Sequence, residues 1–337
     1  MIQHMRGQSD RAVGLPSFLN FFGPFTWTLL LIVGAYSVEA SEEMRGVWIV
    51  RHVLKDPEHI RKAVETAKQA GLNAVFVQVR GRGDAYYQSS LVPPAENLPT
   101  GKERFDPLAL TISLAHQAGL EVHAWVNVYL SWLPTETAPR AANHVFNQHP
   151  EWFMASADGI DMGRLNLGGK NLVRRGVEGR FLSPGIPAVR QHLVRVYEEI
   201  IDRYNVDGLH LDYVRYPNSH YDFNQIPRGL FRKRYRFDPK NLQQTATDLK
   251  PDLKARIWKR WRTDQVTALV EEVHRMIQQK KTLGEAFGRR QARLQQSIPR
   301  IWPGLDPVDQ QRDGRFCRAD VICSQDGYFY PAGSRGP

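Results

Sequence analysis

From residue 44 onward, short apolar runs alternate with longer amphipathic stretches. Period-two runs predict strands at 46–50, 74–80, 121–129 and 207–216. Period-3.6 stretches predict helices at 56–71, 107–119, 188–204 and 257–277. The first helix has Pro57 in its first turn and Gly71 at its end, which is typical of helix boundaries. Residues 130–184 are rich in Gly, Asn and Pro and predict a long loop region. The order of these elements predicts parallel strands covered by helices, an α/β protein with four β/α units.

The last predicted strand carries the most chemistry. Strand alternation places His210 and Asp212 on one face and the apolar Leu209 and Leu211 on the other. Pro217 prevents the strand from continuing, so Arg215 follows directly after its carboxyl end. This pattern favours a functional site with Asp212 and His210 as candidate catalytic residues and Arg215 as a substrate contact. Two structural alternatives remain open: Asp212 and Arg215 form a buried ion pair, or His210 is a hydrogen-bonded core histidine.

The other predicted strands also end in polar or aromatic side chains. Alternation puts Gln78 and Arg80 on one face of the second strand, where Arg80 needs a partner such as Asp84 or Asp212. Trp125 is suited to stacking on a sugar ring, although core packing explains an aromatic residue equally well. The candidate substrate-binding residues, in addition to Arg215, are Trp48, Gln78, Arg80, Tyr86, Trp125 and Asn127.

Several motifs occur together and in a fixed order along the chain. They include Val77-Gln-Val-Arg80, His123-Ala-Trp-Val-Asn127, Leu182-Ser-Pro-Gly185 and the segment from Asp207 to Pro217. Over about residues 43–277 the chain resembles the glycosyl-hydrolase-like-10 family of bacterial proteins. The resemblance implies a (β/α)8 TIM barrel and glycosidase activity. Because only about the first four β/α units are recognisable, an incomplete barrel is expected.

Glycoside hydrolysis usually needs two carboxyl groups on opposite sides of the scissile bond. Asp212 is the first candidate. Asp84 and Asp222 are available on loops, but the second carboxyl group stays unassigned, because in barrel glycosidases it often lies on a later strand. The expected function is carboxylate-assisted hydrolysis of a glycan such as a bacterial cell-wall polysaccharide, or an inactive remnant of such an enzyme. The alternative is a non-catalytic carbohydrate-binding protein of the cell surface.

The two ends of the chain differ from the middle. Residues 1–40 place Arg6 and Arg11 before a short apolar run and end in small residues, which is the layout of a signal peptide. Export to the periplasm or the medium is therefore expected, with no membrane contact after cleavage; an uncleaved anchor is the alternative. Residues 278–337 lack an apolar period and predict a divergent, disordered tail. A frameshift would explain this tail, and ordinary divergence would explain it too.

The formal charge of +10 raises the possibility of nucleic-acid binding. Residues 1–40 have no net charge and the tail has +4, which leaves +6 for the folded part. An exported glycosidase-like protein favours a glycan partner, including a cell-surface polymer with carboxylates, over nucleic acid. The two cysteines, Cys317 and Cys323, do not have zinc-ligand spacing. No metal or cofactor is expected.

Overall fold

A computed structural model describes residues 43–101, 104–135, 137–243 and 249–287, without the side chains of 166–169 and 281–287. The predicted signal peptide, its cleavage point and the tail beyond residue 287 lie outside the described residues. The strands are β1 Gly46–Ile49, β2 Ala74–Arg80, β3 Glu121–Asn127, β4 Leu130–Trp132, β5 Arg180–Phe181 and β6 Gly208–Asp212. The helices are α1 Pro57–Gln69, α2 Pro107–Gln117, α3 Val145–Gln148, α4 Leu165–Arg174, α5 Pro187–Arg203, α6 Gln225–Tyr235 and α7 Pro251–Phe287.

Four strands form one parallel sheet in the order β1-β2-β3-β6. The helices α1, α2, α5 and α7 follow these strands in turn, so the described chain has four successive β/α units. This is the arrangement of half of a (β/α)8 barrel. The predicted α/β fold of TIM-barrel type is confirmed, and the described residues contain four of its β/α units. In the described part of the chain, no helix combines the length and the hydrophobicity of a membrane span.

Local sequence explains where the helices begin and end. The side chain of Asp56 accepts a hydrogen bond from the Glu58 backbone N–H at 2.8 Å and caps α1, with proline at the next position. Asp106 caps α2 in the same way, and α5 also begins with a proline. Gly71 follows α1 with a φ of 70°, a conformation that costs other residues energy.

The two faces of the sheet have different chemistry. The outer face packs against the helices through fully apolar side chains such as Val75, Val122 and Leu211. The inner face, which corresponds to a barrel interior, is aromatic and polar. The register of β3 and β6 places Trp125 beside His210 and Asn127 beside Asp212 on this face. The inner-face residues are Trp48, Phe76, Gln78, His123, Trp125, Asn127, His210 and Asp212.

A β-bulge in β2 changes which face Arg80 occupies. Gln78 pairs with Trp125, but Arg80 pairs with Val126, the very next residue of β3. Arg80 is therefore on the outer face with Val126, and the prediction that Gln78 and Arg80 share a face is wrong. One extra residue in a strand breaks strict alternation and redirects the side chain that follows.

Three further boundaries differ from the predictions. Residues 130–184 contain the antiparallel pair β4-β5 and two helices, where a long loop was expected. The strand β6 ends at Asp212, before the predicted 216, because Tyr213 has a φ of 51° that a strand cannot continue. The helix predicted over 257–277 is longer at both ends. Near its end, Lys280 bonds to Glu198 and Asp202 of α5 at 2.9 Å each.

Gly208 is the point of closest approach between β6 and β3. A Cβ there would lie 2.2 Å from Nδ1 of His123, and His123 is buried against Phe76 at a ring distance of 5.0 Å. We expect Gly208→Ala to lower the free energy of unfolding by about 1–3 kcal/mol, because the imidazole must leave its place. Adding His123→Ala to this variant should restore part of the loss in a double-mutant cycle measured by urea denaturation. A Gly208→Ala protein as stable as the parent would show that the approach is looser.

Candidate functional site

Asp212 lies at the carboxyl end of β6, and both of its oxygens are held. Trp125 Nε1 donates to Oδ2 at 2.9 Å, and the backbone N–H of Tyr213 donates to Oδ1 at 2.7 Å. The backbone of Tyr213 is left-handed, with a φ of 51°, so the chain leaves the strand direction immediately after the carboxylate. Two N–H donors on two oxygens satisfy a negatively charged carboxylate. Asp212 is 5% exposed, so this charge is nearly desolvated.

His210 sits one layer deeper on the same face. Trp48 Nε1 donates to its Nε2 at 3.4 Å, which assigns the proton of the neutral ring to Nδ1. That Nδ1 is buried and has no hydrogen-bond partner among the described residues. Burial, and secondarily the neighbouring His123, lowers the pKa of His210 to about 3. The ring is therefore neutral near pH 7 and can donate a hydrogen bond, but it cannot supply a proton as an imidazolium acid.

This pKa predicts a specific dependence of stability on pH. The unfolded chain binds the His210 proton near pH 6.5 and the folded chain only near pH 3, so stability falls as pH drops through that window. We expect His210→Gln to flatten this fall in urea denaturation between pH 7 and pH 4. His192, whose pKa burial also lowers to about 3, is present in both proteins and provides a common background. An unchanged pH slope in the variant would contradict the buried neutral ring.

A chain of polar groups crosses the strand ends from β1 to β3. Gln78 Oε1 accepts from both the backbone N–H and Nη1 of Arg51 at 3.2 Å each. Gln78 Nε2 donates to Asn127 Oδ1 at 3.4 Å, and Asn127 Nδ2 donates to the carbonyl oxygen of Gly81 at 2.9 Å. These amides are thus oriented by one another. Trp48 stacks on Phe76 with ring centroids 5.2 Å apart, and both Trp48 and Trp125 are partly exposed.

Arg215 is part of a second polar group beside Asp212. Its Nη2 donates to Glu178 Oε1 at 3.1 Å, and its guanidinium lies 5.1 Å from the ring centre of Tyr213. Burial, followed by the charges of Asp212 and Glu178, raises the pKa of the Tyr213 phenol. The ion pair of Arg215 is therefore with Glu178, a residue that the sequence interpretation did not single out.

Two predicted contacts are not brought to this face. The fully buried Arg80 donates to the carbonyl oxygens of Asn127 and Val128 and to Ser131 Oγ. It pairs with neither Asp84 nor Asp212 in any described bond, and its contacts fix the backbone where β3 ends. Tyr86 is also fully buried and donates to Asn97 Oδ1 at 2.8 Å. The surroundings of Arg80 and Tyr86 are those of structural residues.

Sequence reasoning missed Arg51. It follows β1 as Arg80 ends β2, and its bond to Gln78 places it at the strand ends. The position of Arg51 directly after the apolar run of β1 is the sequence signal that indicates it.

The two loop carboxylates considered as partners of Asp212 are both engaged. Asp84 is 2% exposed and pairs with Arg82, Oδ2 to Nη2, at 3.3 Å. Asp222 accepts from the backbone N–H groups of Ala155 and Asn224 at 3.1 and 2.8 Å. Burial raises the pKa of Asp222 to about 6, a range suited to a general acid, but the residue is 2% exposed. Among the described residues, no three potential metal ligands lie close together.

The inner face combines a carboxylate held at a strand end, neutral hydrogen-bonding groups and two partly exposed tryptophans. The sequence profile of the family described as "Glycosyl hydrolase-like 10" matches residues 43–283. The chain belongs to this family. The match covers all four β/α units of the sheet, so these units are those of a glycosidase-like protein.

Two curated members of the wider group are similar over much of this chain. Glycosyl hydrolase YngK of Bacillus subtilis is 26% identical over 275 residues, which are 74% of this chain and 47% of that protein. Glycosyl hydrolase DigH of Escherichia coli K12 is 27% identical over 260 residues, 66% of this chain and 54% of that protein. The chain therefore spans about half the length of the curated relatives that it matches.

Among solved structures, alpha-L-fucosidase isoenzyme 2 from Paenibacillus thiaminolyticus has a TM-score of 0.45 and 16% identity, covering 68% of this chain and 31% of that one. The alpha-galactosidase AgaA from Geobacillus stearothermophilus has a TM-score of 0.36 and 14% identity, covering 68% and 27%. Since both scores are below 0.5, the fold assignment rests on the sheet itself.

Proposed function

We propose that this chain is a secreted glycoside hydrolase that acts on a bacterial cell-wall polysaccharide. The observation that carries the proposal is the carboxylate of Asp212, nearly desolvated at a strand end and held by two N–H donors. The carboxyl ends of the strands are the catalytic end of an α/β barrel. Family membership supports a carbohydrate as the substrate.

The geometry suits Asp212 to the charged role in hydrolysis. One carboxyl group gives a proton to the departing sugar oxygen, and the other, as an anion, attacks the anomeric carbon or activates a water molecule. Asp212, with both oxygens facing N–H groups, fits the second task. The partly exposed Trp48 and Trp125 fit apolar contacts to a sugar ring, and the amides of Gln78 and Asn127 fit hydrogen bonds to sugar hydroxyls. The Nδ1–H of His210 is buried beneath them.

One observation favours the alternative, a carbohydrate-binding protein without catalysis. Asp84 and Asp222, the loop carboxylates proposed as partners for Asp212, are both buried and bonded elsewhere. The described β/α units would still bind a glycan through the aromatic and amide groups of the inner face.

Incubation with purified cell-wall glycan strands separates the two functions. We expect new reducing ends to accumulate with time, because each hydrolysed linkage exposes one. A heat-inactivated sample is the control. Retention of the protein on insoluble glycan without any new reducing ends would replace hydrolysis with binding.

Export is the second part of the proposal. The layout of residues 1–40 supports cleavage near Ser41, and N-terminal sequencing of the exported protein tests it. A mature protein that still begins with Met1 would favour an anchored form.

A further inference from the structure

The positive charge of the chain is concentrated in one segment. Residues 225–262 carry twelve Lys/Arg against three Asp/Glu, a net charge of +9, while the whole chain carries +10. This segment comprises α6, the connection that follows it and the first third of α7. If the charges were spread evenly along the chain, this segment would be close to neutral. The concentration of basic residues therefore indicates a positively charged surface.

Five of these basic side chains form what we call the basic surface, on the second half of α6 and just after it: Arg232, Lys233, Arg234, Arg236 and Lys240. All five are exposed. None has an ion-pair partner among the described residues. The nearby Asp238 is already neutralised by Arg228, which bonds it through Nε at 3.1 Å and Nη2 at 2.5 Å. The basic surface is thus a set of solvated cations with no internal counter-charge described.

An aromatic cluster fixes the basic surface in place. Phe231 of α6 packs edge-on against Trp258 and Trp261 of α7, with ring centroids 4.8 and 5.7 Å apart. These three rings and Phe237 are 6% exposed or less, so they hold α6 onto α7.

The basic surface is also tied to the candidate site. Arg262 of α7 donates to the carbonyl oxygens of Tyr221 and Ser219, and the hydroxyl of Tyr216 donates to the Arg262 carbonyl oxygen at 3.3 Å. Those three residues belong to the loop that follows Asp212. Cations and carboxylate are therefore carried by one connected unit of the fold.

We propose that the basic surface binds a linear polysaccharide bearing carboxylates and holds it for the glycan site at Asp212, which deepens the proposed function and rests on it. A lipid surface fits less well, because α6 exposes two large aliphatic side chains, Ile226 and Leu230 at 39% and 43%, which is too few for the broad apolar face of an interfacial helix. Single-stranded nucleic acid fits less well, because Trp258 and Trp261 are buried and the partly exposed Tyr235 already stacks on Phe231 with ring centroids 4.6 Å apart. The basic surface presents positive charge, and the negative charges of a carboxylated polymer complement it.

The test uses the full chain and polygalacturonate as the probe, with methyl-esterified polygalacturonate as the uncharged match. We expect binding to polygalacturonate that weakens as salt is raised, and none to the ester. Replacing Arg232, Lys233, Arg234 and Lys240 by Gln should weaken binding about tenfold or more. The matched control replaces Lys55, Arg61, Lys62 and Lys68, exposed on or next to α1, by Gln; it removes the same charge and should change affinity less than about twofold.

The outcomes are decisive in both directions. Equal binding of the methyl ester, or equal losses in the α6 and α1 variants, would overturn the proposal, and so would tighter binding of duplex DNA or phosphatidylglycerol vesicles at 150 mM salt. Circular dichroism of both variants excludes unfolding as the cause, and the salt and ester comparisons on the parent protein need no variant. Hydrolysis is measured as reducing ends released by the parent protein and binding as retention on polygalacturonate, so a failed hydrolase and a failed basic surface give different results.

Discussion

Asp212→Asn is expected to abolish glycan cleavage while leaving the fold intact. The amide keeps the size of the side chain but cannot attack or accept a proton as a carboxylate does. Such groups typically contribute on the order of a hundredfold to ten-thousandfold in rate, so turnover should fall by about that factor. Because the amide oxygen can satisfy only one of the donors Trp125 Nε1 and Tyr213 N–H, stability should fall by about 1–2 kcal/mol. Reducing-end release and thermal melting on one sample measure both.

Asp207→Asn is the matched control, since Asp207 precedes the same strand at its opposite end. Its carboxylate lies 2.8 Å from His116 Nε2 and accepts from the Val122 N–H at 2.8 Å, far from the candidate chemistry. This variant should lose a little stability and keep its turnover. Near-normal turnover in Asp212→Asn would remove Asp212 from the site and leave it a structural residue.

Arg80→Met should lower the free energy of unfolding by about 3 kcal/mol. Methionine fills much of the space of the arginine stem, but the carbonyl oxygens of Asn127 and Val128 lose buried donors. Urea denaturation measures the loss. If Arg80 were a substrate contact, the same change would weaken glycan binding and leave stability unaltered.

The control for this change is Arg61→Met on α1. The Arg61 side chain is 48% exposed, and its described ion pair is with the still more exposed Glu58. Its removal should change stability by less than about 0.5 kcal/mol. A loss as large as that of Arg80→Met would mean that the cost does not come from the buried carbonyl oxygens.

The sheet was predictable because its strands are separated by well-marked helices. Proline at the starts and glycine at the ends of α1 and α2 gave boundaries within two residues of those observed. Alternation in β6 placed His210 and Asp212 on one face, as observed. The antiparallel β4-β5 pair was not predictable, since β5 has two residues and is created by pairing across a loop. A hydrophobic period cannot be read from two residues.

The strand residues of the site could be predicted from the sequence, but their hydrogen-bond and ion-pair partners could not. Sequence position indicated Asp212, but only the packed structure shows that Trp125 bonds to it and that Arg215 pairs with Glu178. Glu178 is on a loop without periodicity, so no pattern pointed to it. The sequence could not decide whether His210 is a core residue or contacts a ligand, because the burial of its side chain depends on the tertiary packing around it.

The bulge in β2 has a consequence for how this face can change over evolutionary time. Strict alternation through this point would place Arg80 on the inner face beside Asn127, so the extra residue keeps a guanidinium out of the lining. A family member with the same residues but a regular strand here should therefore present a cationic lining. Such a member should prefer more acidic glycans than a member with the bulge.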